Sequence, residues 1–87
     1  MHFLARVYVS LKPTVNDPQG ITIADGLRSL GFAEVEGVRA GKYIEVRLTA
    51  ASAEEAGRRV DAMCDRLLAN PVIEMYRFEI EALSPAT

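Results

Sequence analysis

The stretch Val15 to Gly20, VNDPQG, combines a carboxylate and an amide with proline and glycine, as both ligand-binding loops and helix starts do. Asp17 can accept hydrogen bonds from the first backbone N–H groups of a helix, and Pro18 has no N–H to leave unpaired at the first helical position. The local chemistry therefore predicts a helix cap at Asp17. Gly20 would allow another backbone segment to approach closely.

The stretch Arg39 to Lys42, RAGK, raises a second possibility, because two cations beside a glycine could hold an anion such as phosphate. It lacks the G-x-x-x-x-G-K-[ST] pattern in which backbone N–H groups surround bound phosphates. The favoured interpretation is a tight turn between two strands, in which Gly41 supplies the backbone freedom and the charges face solvent.

The single histidine and the single cysteine are further candidates for chemistry. A protein metal site needs several ligands at suitable spacing, and none accompanies His2, so we expect a plain strand residue there. Cys64 falls among apolar residues of a predicted helix, which favours a buried, unreactive thiol. Neither residue has the base and orienting group of a catalytic triad.

Two acidic pairs are also spaced for chemistry: Glu34 with Glu36, and Asp61 with Asp65. The first could act as acid and base, and the second, on one helix face, could bind a metal ion. Solvated charge is the favoured interpretation of both pairs, because Arg58 and Arg66 offer ordinary surface partners along the second helix.

The composition limits the class of partner. The chain has 87 residues, 49% of them hydrophobic and 25% charged, which is ordinary for a folded domain. Its net charge of −2 gives no basic surface for nucleic acid, so we expect no nucleic-acid partner. No apolar run approaches the roughly 20 residues that cross a bilayer, so we expect no membrane association. The first residues alternate like a strand and do not resemble an export signal.

Apolar periodicity predicts the elements that position these residues. A period of two indicates strands, and apolar residues three or four apart indicate helices that begin after Asp17 and Ser52. Gly31 is placed to end the first helix, and Asn70-Pro71 to end the second. The predicted elements are a strand ending at Pro13, a helix over Pro18–Leu30, a short strand over Phe32–Arg39 interrupted by Gly37, a strand over Tyr43–Thr49, a helix that begins after Ser52 and ends at Asn70-Pro71, and a strand over Val72–Glu81.

This order, β-α-β-β-α-β, predicts an α+β fold of the ferredoxin-like type, with a four-stranded antiparallel sheet and both helices on one face. We expect one domain over residues 1–83 and a flexible tail over residues 84–87. The other sheet face would have no cover, and it would carry four apolar or aromatic side chains. We therefore expect burial against a second copy or a partner. The four are Leu4, Tyr8, Tyr43 and Met75.

Three stretches together resemble the PurS family, the small subunits of phosphoribosylformylglycinamidine synthase in purine biosynthesis. They are VNDPQG before the first helix, VRAGKYIEV around the predicted hairpin, and LLANPVIEMY from the second helix into the last strand. Matching segments run in the expected order from the first strand to about Glu81. No single stretch is specific, but the combination is.

The resemblance implies a cytoplasmic, non-catalytic subunit of a ligase complex. It implies a homodimer or homotetramer that joins a large synthetase subunit, PurL, to a glutaminase subunit, PurQ, and helps ammonia pass between them. The complex would use ATP, magnesium and glutamine to convert formylglycinamide ribonucleotide to formylglycinamidine ribonucleotide, with no cofactor bound by this chain. The residues that we expect at subunit interfaces are Asp17, Pro18, Gln19, Gly20, Arg39, Gly41, Lys42, Asn70 and Pro71.

Two other classes remain open at this stage. A small-molecule regulatory domain of the ACT type shares the order of strands and helices and binds amino acids between paired domains. A stand-alone enzyme on the same fold is the other. Thermal stabilisation by free amino acids would indicate the first, and turnover by the isolated chain would indicate the second.

Overall fold

The computed structural model describes residues 1–83, so the predicted flexible tail at residues 84–87 lies outside the described residues. It contains three strands, two α-helices and a five-residue π-helical turn that continues the second helix. In chain order they are β1 (His2–Leu11), α1 (Pro18–Ser29), β2 (Gly41–Thr49), α2 (Ala53–Met63), the π-helical turn (Cys64–Leu68) and β3 (Glu74–Leu83).

The strands form one antiparallel sheet in the order β2-β1-β3. In the centre of the sheet, Val7 of β1 lies opposite Ile44 of β2 and Phe78 of β3. Alternate β1 residues from Phe3 to Val9 are buried, as the period-two pattern predicts. Their side chains form the part of the hydrophobic core that the sheet contributes.

The prediction of a fourth strand was wrong, because residues 32–40 contain no strand. The Arg28 guanidinium donates hydrogen bonds to the carbonyl oxygens of Val35, at 3.0 Å, and Glu36, at 3.1 Å. These carbonyls therefore have hydrogen-bond donors already, so they do not require hydrogen bonds from a neighbouring strand. The predicted hairpin turn over RAGK is absent as well, since β2 begins at Gly41 and pairs directly with β1.

The second helix covers part of the sheet. It packs mainly on β3 and β1, and its Val60 and the following Cys64 are fully buried. The Tyr76 hydroxyl on β3 donates a 2.7 Å hydrogen bond to Asp61. Ser52 caps α2 by accepting from the Glu55 N–H, as predicted.

The first helix does not share that packing, so the prediction of two helices on one sheet face was wrong for α1. Within the described residues, α1 forms no substantial packing contact with α2 or with any strand. Residues 18–40, which we call the arm, instead extend beyond the sheet. The radius of gyration is 16.9 Å, whereas a compact chain of this length has about 12 Å.

The arm has its own local order. Gly31, at φ 101°, ends α1 as predicted, and the N–H groups of Gly31 and Phe32 donate to the carbonyls of Arg28 and Leu27. This is the Schellman arrangement, which satisfies carbonyls that a helix end leaves free.

The opposite face of the sheet mixes aromatic and charged side chains. Tyr8 and Tyr43 lie with ring centroids 5.2 Å apart, and the Arg77 guanidinium lies 4.0 Å from the Tyr8 centroid. The hydroxyl of Tyr8 donates to Glu79. The four residues that we expected on this face are there by register, and Arg6 separates Leu4 from the Tyr8–Tyr43 pair. In the part of the chain that the structure describes, no helix is long and apolar enough to span a bilayer.

Candidate functional site

The three stretches singled out in the sequence meet at one end of the sheet. At that end β1 stops, and Ser10 and Leu11 pair with the first residues of β2 and β3, Gly41 and Glu74. The turn into α1 and the turn after the π-helical segment reach the same place. We call residues 17–20, 39–42 and 70–74 the polar junction.

Asp17 stands at the centre of the polar junction and is only 4% exposed. Its Oδ1 accepts from the Gly20 N–H at 2.9 Å, which caps α1 as predicted. Its Oδ2 accepts from the Ala40 N–H at 2.7 Å, just before β2. The hydrogen bond from Ala40, followed by that from Gly20, lowers the pKa of the carboxyl. One carboxylate thus fixes the start of the arm helix to the start of a strand.

Two glycines make this approach possible. A Cβ at Gly20 would lie 2.2 Å from the Val38 carbonyl oxygen, and a Cβ at Gly41 would lie 2.6 Å from that of Val9. Both distances are shorter than any side chain tolerates. The close backbone approach expected at Gly20 is confirmed, whereas Gly41 serves strand pairing instead of a turn.

Arg39 holds the loop between β1 and α1. Its guanidinium donates to the carbonyl oxygens of Val15, at 3.0 Å, and Lys12, at 2.9 Å. These are charge-assisted bonds to backbone, and a lysine could not make both with the same fork geometry. The anion site considered from the sequence would need this guanidinium, which already donates hydrogen bonds to these two carbonyl oxygens.

Glu74 completes the polar junction and was not among the predicted site residues. Its Oε1 accepts from the Asn70 N–H at 2.7 Å, and its Oε2 lies 3.6 Å from Lys42 Nζ. The Asn70 side chain accepts from the Val72 N–H. Glu74 therefore links the stretch LLANPVIEMY to Lys42 of the stretch VRAGKYIEV. Its position within LLANPVIEMY was the sequence signal that could have identified it as a site residue.

A cleft of about 230 Å³ opens beside these groups, lined by Asp17, Gln19, Lys42 and Glu74 among others. Both carboxylates of the cleft already have the partners described above. No group of three possible metal ligands occurs among residues 1–83. The exposed polar groups that remain, on Gln19 and Lys42, suit hydrogen bonding to another protein surface.

All nine predicted interface residues lie in the polar junction, but the structure gives them different surroundings. Asp17 and Gly20 are buried, and the other seven are exposed. Pro18 begins α1 as predicted. Pro71 lies in the turn between Asn70 and β3.

The remaining candidates lie elsewhere. His2 is exposed at the start of β1, Cys64 is buried in the core, and burial raises the pKa of its thiol. Asp61 accepts the Tyr76 hydrogen bond, so it has a structural partner. Glu34 and Glu36 are exposed on the arm.

Comparison with known proteins identifies the family of the chain. The profile of the family described as PurS, phosphoribosylformylglycinamidine (FGAM) synthase, matches residues 4–82. A Synechocystis phosphoribosylformylglycinamidine synthase subunit PurS is 52% identical over 81 residues, covering 93% of this chain and 81% of that protein.

Solved structures show the same likeness. Bacillus subtilis PurS superposes with a TM-score of 0.81 at 45% identity, covering 92% of this chain and 99% of the other. A chain of the PurLQS structure from Thermotoga maritima superposes with a TM-score of 0.85 at 33% identity, covering 93% and 99%. The chain belongs to the PurS family, the small subunits of phosphoribosylformylglycinamidine synthase. These matches favour that family over the ligand-binding alternative.

Proposed function

We propose that this chain is the assembly subunit that couples a glutaminase subunit (PurQ) to a large synthetase subunit (PurL) in a cytoplasmic ligase complex. The likeness to a chain of the Thermotoga PurLQS structure over nearly the full length carries the proposal. In the complex, ATP, magnesium and glutamine serve the two larger subunits. This chain binds none of them and helps ammonia reach the synthetase.

The polar junction supports a role without catalysis. Both carboxylate oxygens of Asp17 accept hydrogen bonds from backbone N–H groups. The Glu74 carboxylate accepts a hydrogen bond from the Asn70 N–H and forms an ion pair with Lys42. Because its backbone hydrogen bonds lower the pKa of Asp17, this carboxylate is a weak base for a substrate proton. These carboxylates instead hold three chain segments in one geometry, as an assembly subunit requires.

We also propose that the subunit acts as a homodimer or homotetramer. An 87-residue chain whose radius of gyration is 16.9 Å leaves much of its apolar surface uncovered. Leu30 is 76% exposed and Leu67 84% exposed. Ile21, Ile23 and Phe32, near Leu30 on the arm, are also 40–50% exposed, and grouped apolar side chains of this kind are typical of surfaces that associate.

The exposed members of the polar junction are the proposed contacts with the larger subunits. Lys42 is suited to test this, because its side chain is 56% exposed and paired only with Glu74 at 3.6 Å in the described chain. Arg39 is less suited, because its charge reversal would also release the carbonyls of Lys12 and Val15. A loss of affinity in an Arg39 variant could then come from a displaced loop.

The first test is reconstitution of activity. Purified large and glutaminase subunits are assayed for formylglycinamidine ribonucleotide formation with glutamine or ammonium, with and without this chain. We expect glutamine-dependent activity only when the chain is present, and ammonium-dependent activity in either case. If neither activity responds and no complex forms, the proposed coupling role is wrong.

The second test concerns the contact residues. Lys42→Glu should weaken binding to the larger subunits by about tenfold, the size of one lost charged contact at an interface. Arg58→Glu, on an exposed position of α2, is the matched control. Equal affinity of the Lys42→Glu and Arg58→Glu variants would show that the polar junction is not the contact surface.

A further inference from the structure

The turn between the π-helical segment and β3 exposes two β-branched apolar side chains. Val72 is 77% exposed and Ile73 is 40% exposed. Turns ordinarily carry Gly, Pro, Asn, Asp or Ser, whose backbone preferences or side-chain hydrogen bonds suit them. Asn70 and Pro71 already supply those properties here, so the two apolar residues are not required by the turn itself. Departures from local sequence rules are expected where a residue serves function.

The backbone of this turn is held in one conformation by its own chain. The Asn70 side chain accepts from the Val72 N–H at 3.0 Å, and its carbonyl accepts from the N–H groups of Ile73, at 3.1 Å, and Glu74, at 2.7 Å. The Lys12 N–H donates to the Ile73 carbonyl at 2.9 Å. These groups need no hydrogen bond from another protein, so the side chains are what the turn offers to a partner.

A fixed turn of this kind binds at low entropic cost. The backbone hydrogen bonds already restrict the chain, and the β-branched side chains of Val72 and Ile73 have few χ1 rotamers to lose. Burial of both side chains would release water from apolar surface that the single chain leaves exposed. The turn therefore suits insertion into a concave apolar pocket.

The surroundings of the turn are basic. Lys12 and Lys42, the two lysines of the chain, both adjoin it: Lys12 through its backbone hydrogen bond to Ile73 and Lys42 through Glu74. The Lys42 side chain is 56% exposed, whereas that of Glu74 is only 17% exposed. Among residues 1–83, Lys12 has no carboxylate within 4.0 Å. A pocket with an apolar floor and an acidic rim would complement this surface.

The apolar groove beside α2 does not have that character. It has a volume of about 380 Å³, and Arg59 and Arg66 are among the residues that line it. Like charges would oppose the approach of a turn flanked by lysines. This argues against a second copy of the chain as the partner of the turn and favours a different protein.

We propose that Val72, supported by Ile73, anchors this chain in an apolar, acidic-rimmed pocket of one of the larger subunits. The inference rests on the proposed coupling role and names side chains that would carry the contact, neither of which is among the nine predicted interface residues. Asn70 acts as a positioning residue, because its side chain and carbonyl fix the turn. The turn belongs to the polar junction, so the anchor and Lys42 would meet the same partner surface.

The test compares Val72→Asp with Ala51→Asp. Both positions are exposed and gain the same charge, but Ala51 follows β2 at the opposite end of the sheet. Circular dichroism and urea unfolding check that both variants fold. Chains labelled at Met1, also at that opposite end, are titrated with each larger subunit and with both, and fluorescence anisotropy reports binding. Val72→Asp should bind on the order of tenfold to a hundredfold more weakly, the effect of losing one buried valine, and Ala51→Asp should bind like the wild type.

A double-mutant cycle tests the positioning role. Asn70→Ala should weaken binding of the wild-type chain, but it should cause no further loss in the Val72→Asp chain, because the anchor that it positions is already gone. Additive losses would show that Asn70 contacts the partner directly. Lys12→Glu should weaken binding by about threefold to tenfold through the acidic rim, and Arg58→Glu should not.

Reconstitution of activity separates this inference from the coupling role. The concentration of chain that gives half of the maximal glutamine-dependent activity should rise on the order of tenfold to a hundredfold for Val72→Asp and stay unchanged for Ala51→Asp. If the wild type restores activity and Val72→Asp does so at the same concentration, the anchor is wrong and the coupling role stands. If the wild type neither restores activity nor binds, both proposals are wrong.

Discussion

Replacing Gly20 by alanine should destabilise the protein although it occupies a helix, where alanine is ordinarily preferred. The added Cβ would lie 2.2 Å from the Val38 carbonyl oxygen and 2.8 Å from Asp17 Oδ2. To reach an allowed contact, Val38 must retreat by about 0.8 Å. That movement pulls on Ala40, whose N–H donates to Asp17.

The magnitude follows from two opposing effects. Overpacking of this kind costs about 1–3 kcal/mol, and alanine recovers about 0.5–1 kcal/mol by its higher helix propensity. The middle of these two ranges gives a net loss of about 1 kcal/mol, which lowers the Tm of a domain this size by roughly 4–8 °C. Displacement of the Asp17 hydrogen bonds adds to the loss.

Gly57→Ala is the matched control, because Gly57 lies inside α2 and nothing is within 4 Å of its Cβ position. It should raise stability by about 0.5–1 kcal/mol. Thermal and urea unfolding at one fixed subunit concentration measure both variants, since the proposed self-association would make Tm depend on concentration. A Gly20→Ala protein as stable as the Gly57→Ala protein would refute the steric account of the polar junction.

Three further predictions concern titration and reactivity. Because its hydrogen bonds lower the pKa of Asp17, its stabilising contribution is present above the unfolded-state pKa and lost as pH falls through the folded-state pKa. The gap in urea-unfolding free energy between wild type and Asp17→Asn should therefore close on acidification. The Asp61 hydrogen bond raises the pKa of Tyr76 to about 12. The contribution of this hydrogen bond to the free energy of unfolding should therefore be complete below pH 10 and be lost as the pH rises through 12. Asp61→Leu should lower the pKa of Tyr76 in an absorbance titration. The Cys64 thiol should react with a thiol reagent only as fast as the protein opens, and rapid reaction of the native protein would contradict its burial.

The sequence predicted the elements whose signals are local. Asp17 and Ser52 cap helices as expected, Gly31 ends α1, and β1 alternates as its residue types indicate. These features depend on interactions between residues a few positions apart. The resemblance to the PurS family likewise came from short stretches, and the family match confirms it.

The failures concern interactions between distant residues. The strand predicted over Phe32–Arg39 is absent partly because Arg28 supplies hydrogen bonds to its carbonyls, and an arginine on a helix gives no sign of this in sequence. The position of α1 was missed because an apolar helix stripe does not show which surface the helix packs on. Glu74 was overlooked because its partners, Asn70 and Lys42, are joined only by the fold.

The residues proposed for the interface fall into two structural groups, exposed and buried, and the distinction changes how their variants should be interpreted. Gln19 and Lys42 are exposed and can touch a partner, whereas Asp17 and Gly20 are buried. The buried pair fixes the angle at which the arm leaves the sheet, because Asp17 joins the first turn of α1 to Ala40.

Substitution of Gln19, or removal of the Lys42 charge, should therefore change partner affinity while lowering the unfolding free energy by at most about 1 kcal/mol, the value of a largely exposed ion pair such as Lys42–Glu74. Substitution of Asp17 or Gly20 should lower both the affinity for the larger subunits and the unfolding free energy, because the arm would leave the sheet at a different angle. Measuring affinity and unfolding for the same four variants separates direct contact from orientation. If Asp17→Asn lost stability but kept full affinity, the arm angle would not matter for assembly, and the polar junction would serve folding alone.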